Sequence, residues 1–272
     1  MNNMKKIEWK KIIKCFVPPI ITFLLKGKFL RGNYSSWKDA KKDSVGYDSV
    51  VILEKVKKSL LKVKNGEAIS ERDSVLFDKV EYSWPMVAGL LNASDNKSGE
   101  LRVLDFGGSL GTTYFQNRLF LQDFKELQWA IVEQEHFVRT GKEFFEDQKL
   151  KFYHNIEDCV KEINPNVVVL SSVIQYIEKP FEILDKLMKV GADYIIIDRM
   201  PLIGKKDRIV VQRVSSAIYR ASYPSWLLNE QNFVSFLTRD YNLLIDFDAI
   251  DGVWYMGRLL IKHKGYIFKR KS

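Results

Sequence analysis

The chain has 272 residues, 46% hydrophobic and 28% charged, and a formal net charge of +9. Those fractions are those of a folded globular protein and argue against a disordered chain. Cys15 and Cys159 fit neither a metal spacing nor a disulfide framework, and read as structural thiols of a reducing compartment; the three histidines are scattered, so no metal site is expected.

The first element in chain order is an apolar run, Ile12 to Leu25, with Lys5, Lys6, Lys10 and Lys11 before it and Lys26, Lys28 and Arg31 after it. Lys14 and Pro18-Pro19 interrupt it, and it falls short of the roughly 20 apolar residues of a membrane-spanning helix. No small-residue cleavage site follows, which argues against a secretory signal. Two readings stay open for residues 5–31. One is reversible contact with an anionic membrane surface. The other is a helix packed on the protein body or on a second subunit, as in a homo-oligomer. Residues 1–98, of which 1–32 are this basic and apolar segment, are expected to be helices and loops. Val51 to Val63 places Leu53, Val56, Leu60 and Leu61 among lysines, an amphipathic pattern, and Val75 to Leu91 reads as a second helix capped by Asp73 or Ser74. The triplet Glu71-Arg72-Asp73 at its start reads as capping plus a surface ion pair in preference to a catalytic group.

Residues 99–272 change character. Leu101 to Phe106 reads as a strand buried on both faces, followed by Gly107, Gly108, Ser109 and Gly111 and a helix start at Thr112. Glycines in such a turn let the backbone approach a ligand closely, and the helix start offers unpaired N–H groups. A dinucleotide fingerprint needs glycines at first, third and sixth positions. Phe106 occupies the first of these, which argues against an NAD(P)-dependent oxidoreductase. The register Asp105, Gly107, Ser109, Gly111 fits D-x-G-x-(G/S)-x-G, and resembles the first motif of class I S-adenosylmethionine (SAM) methyltransferases. Trp129 to Val132 reads as the second strand, ending at Glu133, 22 residues after Gly111. A carboxylate there can accept hydrogen bonds from both ribose hydroxyls.

Leu150 to His154, Asn166 to Leu170 and Tyr194 to Asp198 read as third, fourth and fifth strands, separated by amphipathic helices. That alternation predicts right-handed βαβ units and a parallel sheet. Asn242 to Phe247 and Met256 to Ile261 flank Asp251-Gly252, a hairpin-type dipeptide, and predict a closing antiparallel pair. The expected fold is α/β, Rossmann-like, with a C-terminal antiparallel pair and an N-terminal helical extension.

From about residue 34 onward the chain resembles a bacterial family of SAM-dependent methyltransferases encoded among surface-polysaccharide genes. The resemblance lies in Asp105 to Asn117, Gly66-Glu67 with Glu71 to Ser74, Trp129 with Val132-Glu133-Gln134, Ser171 to Tyr176, Asp198 to Pro201, and Gln212 with Ile218 to Trp226. It implies SAM as cofactor and a cytoplasmic enzyme, peripheral to the inner face of the membrane if the N-terminal segment binds lipid. By position on the fold, Asp105, Gly107, Gly108, Ser109, Gly111, Glu133, Gln134, Asn155, Ile156, Ser171 and Ser172 are the candidate cofactor residues. Tyr176 and Asp198 are the candidate bases, with His154 behind them. Tyr176 is also readable as a packing aromatic, and Asp198-Arg199 as a structural ion pair. Arg199 is a further candidate for the acceptor, and the segment Arg208 to Trp226, with Arg213, Tyr219, Arg220, Tyr223 and Trp226, suits a sugar ring and a phosphate by stacking and bidentate contact, or else is a lid whose aromatics merely pack. The basic ends of the chain leave nucleic acid, anionic lipid or a phosphorylated substrate as partners. No stacking-aromatic nucleic-acid motif is present, so nucleic acid is not expected. The sequence thus points to a SAM-dependent methyltransferase acting on a small-molecule, sugar or lipid-linked glycan acceptor. A non-catalytic binding subunit of the same fold is the rival.

Overall fold

The computed structural model describes residues 29–45, 49–94, 99–214 and 221–272. The apolar segment 12–25, Tyr219 and Arg220 lie outside them, as do all but three of residues 5–31. The elements in order are β1 (Leu30–Tyr34), α1 (Trp37–Lys42), α2 (Ser49–Lys64), β2 (Ser70–Arg72), β3 (Val75–Phe77) and α3 (Trp84–Ala93). Then come β4 (Glu100–Phe106), α4 (Thr112–Leu121), β5 (Glu126–Val132), α5 (Glu135–Phe144), β6 (Leu150–Tyr153), α6 (Ile156–Ile163) and β7 (Val167–Ser171). The chain continues through a 3-10 turn (Ile174–Tyr176), α7 (Pro180–Lys189), β8 (Tyr194–Ile203), β9 (Arg208–Arg213), β10 (Ser222–Asn229), α8 (Glu230–Leu237), β11 (Tyr241–Met256) and β12 (Leu259–Arg270).

Strands β6, β5, β4, β7 and β8 lie side by side in that order, all parallel. Their residues are apolar without alternation because helices cover both faces: Val167 to Leu170 are all buried, as are Leu101, Val103 and Leu104. β12 pairs antiparallel with β8, and β11 antiparallel with β12. The order 6-5-4-7-8-12-11, with only β12 reversed, is the α/β sheet with a closing antiparallel pair that the sequence predicts. The order turns back at β4, since β5 lies on one side of it and β7 on the other. A crevice therefore opens at the carboxyl ends of β4 and β7.

One core holds Ile52, Leu53, Val56 and Leu60 of α2 together with Leu101, Trp129 and Ile196 of the sheet. The helices of residues 49–94 thus share a core with the sheet. Trp129 is fully buried at the centre of this cluster, where truncation to alanine would cost about 3–5 kcal/mol.

Three expectations differ from what is found. Residues 75–91 are not one helix, and the N-terminal region is not purely helical. Asp73 and Ser74 adopt left-handed backbone (φ 53° and 69°), which closes a tight turn between β2 and β3. Pro85 has no N–H and cannot sit inside a helix, so α3 starts only at Trp84. β1 joins the sheet through β9. Second, Asp251-Gly252 is not the C-terminal turn. Met256 pairs with Leu259, so Gly257-Arg258 turns the chain, with Gly257 at φ 61°. Asp251 instead lies where the register of β11 slips between Asp248 and Val253. Third, the described residues of the segment from Arg208 to Trp226 are not a lid. They form β9 and β10, an antiparallel pair. β10 takes up the edge of β8 at Leu202 and Ile203, beyond the point where β7 ends at Ser171, and so walls the crevice.

Candidate functional site

The turn after β4 is built from unusual backbone. Gly107, Ser109 and Gly111 have φ of 71°, 56° and 104°. Gly107 donates its N–H to Val132 O at the end of β5 (2.9 Å), and Gly111 donates to Gly108 O (3.0 Å). A Cβ on Gly107 would stand 2.3 Å from Val173 Cγ2, and one on Gly108 would stand 2.4 Å from Asp105 Oδ2. Both glycines are therefore required by the close packing of the turn on its neighbours. Beneath it Asp105 is buried. Its Oδ2 accepts the indole N–H of Trp129 (3.0 Å), while Oδ1 has no hydrogen-bond partner. Burial pushes this carboxyl up to about 7, against the pull of the Trp129 bond.

Glu133 follows β5 directly beside the turn. Its carboxylate accepts main-chain N–H bonds from Gln134 (2.7 Å) and from Ser109. Burial raises its pKa despite those bonds. The turn and the acid are thus one unit, since Ser109 of the turn holds the Glu133 side chain. Gln134 is exposed at the start of α5, where it makes no side-chain cap. Asn155 caps α6, accepting from Asp158 N–H and donating to Asp158 Oδ2, both at 2.8 Å. That leaves its amide largely committed, with Ile156 beside it in the first turn of α6.

At the end of β7, Ser172 is left-handed (φ 55°) and donates its N–H to Asp198 O (3.0 Å). Gln175 is buried. Its Nε2 donates to Ser172 Oγ (2.9 Å), while its Oε1 has no partner. Tyr176 donates its hydroxyl to Gln212 Oε1 (3.1 Å) and meets the Tyr223 ring edge-on at 5.1 Å. Burial raises the Tyr176 pKa, so the phenol stays protonated at neutral pH. Asp198 on β8 accepts the Arg199 N–H (2.9 Å) and a bond from Ser83. Burial lifts it to about 6, in part opposed by the Arg199 charge. His154 is exposed after β6.

Arg199 does not offer a free guanidinium. Its Nε donates to Asp251 Oδ2 (2.8 Å) and its Nη2 to Asp73 Oδ2 (3.0 Å). Burial alone would lower its pKa, but the two carboxylates carry it well above the ordinary arginine range. Arg213 is exposed at the end of β9. Trp226 stacks on Trp37 (6.0 Å between ring centres, 23° between planes) and donates its indole N–H to Glu178 O (3.2 Å). Of the expected acceptor residues among those described, only Tyr223 and Arg199 therefore stand at the crevice with Tyr176 and Asp198.

Two residues of the site carried no signal of that role. Glu71 is buried at the end of the β2–β3 hairpin, where its Oε2 accepts from Thr112 Oγ1 (2.8 Å) and its Oε1 from Ser74 N–H (2.6 Å). Burial raises it to about 7, against both bonds. Asp251 is held below the carboxylate range because Arg199 outweighs the effect of its burial. Glu71 is therefore no surface cap but rests on Thr112 at the start of α4, while Arg72 makes the expected ion pair, with Glu81 (3.3 Å). A groove of about 300 Å³ lined by Tyr114, Arg118, Leu127 and Lys149 lies at the amino ends of β5 and β6 and holds none of these residues.

No protein-family model matches the chain, and no curated protein matches it in sequence. Among solved structures it is similar to the N-terminal domain of EvdMO1 in the presence of SAH and D-fucose. The identity is 12% and the TM-score 0.49, over 83% of this chain and 98% of that one. It is also similar to the N-methyltransferase NodS from Bradyrhizobium japonicum WM9 in complex with SAH (10%, TM-score 0.41, 70% and 87%). A third is magnesium protoporphyrin IX methyltransferase (ChlM) from Synechocystis PCC 6803 with bound SAM (11%, TM-score 0.42, 69% and 77%). A likeness this distant carries no chemistry to this chain, because one fold hosts many activities.

Proposed function

We propose that the chain is a SAM-dependent methyltransferase. The observation that carries this reading is the joined pair of glycine turn and Glu133 at the carboxyl ends of β4 and β5. A carboxylate has about four lone-pair sites. Two main-chain N–H groups take up part of that capacity on Glu133. What remains suits the two hydroxyls of a ribose. The unpartnered Asp105 Oδ1 under the turn is a second polar group that a bound ligand or water would satisfy. The direction of one strand supports SAM over a dinucleotide. A dinucleotide fold keeps its sixth strand parallel, whereas β12 beside β8 is reversed.

The residues present therefore fit SAM, with Glu133 at the ribose, the 107–111 turn at the methionine part and Ile156 near the base. Bound there, the cofactor would supply an electrophilic methyl on a sulfonium. The chain's own task is to align an acceptor and to take its proton. Asp198, raised to about 6 and set at the crevice, is the carboxylate suited to that step. Tyr176 remains a hydrogen-bond donor. We take the acceptor to be a hydroxyl or amine of a sugar or lipid-linked glycan intermediate of surface-polysaccharide synthesis. The β9–β10 wall and the Tyr176–Tyr223 pair support a ring-shaped acceptor. The double ion pair of Arg199 argues against using that residue for phosphate.

The test is calorimetric titration of the purified chain with S-adenosylhomocysteine (SAH), the demethylated product, and with NADH and NADPH. Micromolar binding of SAH alone is expected. Binding of a nicotinamide dinucleotide in its place would overturn the reading.

A further inference from the structure

The β2–β3 hairpin has three-residue strands that, among the described residues, pair only with each other, in a sheet separate from the main one. A two-stranded ribbon of that length does not hold itself in place in water. Its position is set from outside. Ser59 of α2 donates to Ser74 O (2.9 Å), and Thr112 Oγ1 donates to Glu71 Oε2. At its tip, Asp73 meets Arg199 of β8, whose other side is held by Asp251 of β11.

That tip contact has two features of a functional constraint. Asp73, Ser74 and Arg199 all carry left-handed backbone, so both partners of one ion pair sit in conformations that non-glycine residues rarely adopt. The Arg199 side chain is also mostly withdrawn from water, at 17% exposure, between two carboxylates. A partly buried charge cluster is poor stabilisation compared with apolar packing, and its clearest use is to fix geometry. What it fixes here is the hairpin, whose Glu71 rests on Thr112, the residue directly after Gly111.

We infer that Arg199 is a positioning residue. It clamps the hairpin through Asp73, the hairpin presses Glu71 onto the start of α4, and the clamp thereby sets how long the turn retains its cofactor. This rests on the SAM reading above. Arg199 acts through the hairpin, with its guanidinium held by Asp73 and Asp251.

Asp73→Asn tests it on the full chain. The Asp73 side chain is 62% exposed and Arg199 keeps Asp251, so the variant should fold. Two quantities are read, amide exchange by mass spectrometry across residues 70–77 without ligand, and the dissociation rate of SAH. Exchange at least tenfold faster in 70–77 and unchanged elsewhere is expected, with SAH leaving at least tenfold faster. Unchanged exchange would overturn the clamp. Faster exchange with unchanged SAH release would overturn the positioning role and leave the ion pair merely structural. Failure of the wild-type chain to bind SAH would instead bring down the SAM reading, and this role with it, while the exchange data would still report the clamp separately.

Discussion

Glu133→Ala is the sharpest perturbation of the site. The side chain has main-chain bonds from Gln134 and Ser109 and spare acceptor capacity at the end of β5. A hydrogen bond to a charged group contributes about 1.5–3 kcal/mol. Losing two ribose hydroxyl bonds should therefore cost about 3–6 kcal/mol of binding, roughly 10²- to 10⁴-fold in Kd. Glu133→Gln keeps the shape and the acceptor oxygen but not the charge, and should lose about half of that free energy. The pH dependence follows from the raised pKa. The acid form dominates below a value higher than that of a free glutamate, so SAH affinity should fall with acidification before pH 4.5 is reached. The Glu133→Gln variant should lack that slope. Calorimetry with SAH across pH 5–8 measures both effects, with circular dichroism to confirm that the variants are folded. A Kd for Glu133→Ala within threefold of wild type would refute the assignment of this carboxylate to the cofactor.

Three further outcomes are expected. Asp105 holds a proton in the native state up to about pH 7, whereas the unfolded chain releases it near 3.8, so native stability from this group falls as pH rises through that window. Asp105→Asn should accordingly stabilise the free protein by about 1–3 kcal/mol at pH 8 and by almost nothing at pH 4; urea unfolding showing an equal gain at both would contradict the burial account. Gly107→Ala should destabilise by about 1–3 kcal/mol, from its left-handed φ and the 2.3 Å approach to Val173 Cγ2. Introduced into a Val173→Ala background it should cost less, and the same cost in both would exonerate that contact. Deletion of residues 1–28 should abolish co-sedimentation with anionic vesicles, an interaction near 1 kcal/mol per lysine that salt weakens; equal recovery of both forms in the supernatant would leave the segment as a packing or subunit-contact element.

The parts of this molecule that a sequence reveals are those whose cause is local. Val167 to Leu170 is apolar without alternation because both faces of β7 are covered, so it reads as a buried strand wherever it stands. Glu133 is legible for a related reason: the length of one βα unit fixes how far the second strand's end can lie from the glycine turn. Val75 to Leu91 misled because its apolar spacing outweighed Pro85 and the left-handed pair Asp73-Ser74, two local signals that point the other way. Asp251-Gly252 misled because a glycine after an acid serves a bulge as well as a turn, and only the partner strand's register distinguishes them. The partners of Arg199 were beyond reach. Its ion pairs span 126 residues to Asp73 and 52 to Asp251, and no pattern along the chain encodes a contact that exists only after β8, β11 and a separate hairpin have converged. The same is true of Glu71, whose burial depends on α4 lying beneath it. The glycine turn and the acid beside it are therefore a matter of spacing, legible in advance. The Arg199 cluster and the β9–β10 wall depend on long-range charges and on a strand pair that a run of arginines and aromatics disguises as a lid, and only the folded arrangement of β9, β10 and the hairpin makes them readable.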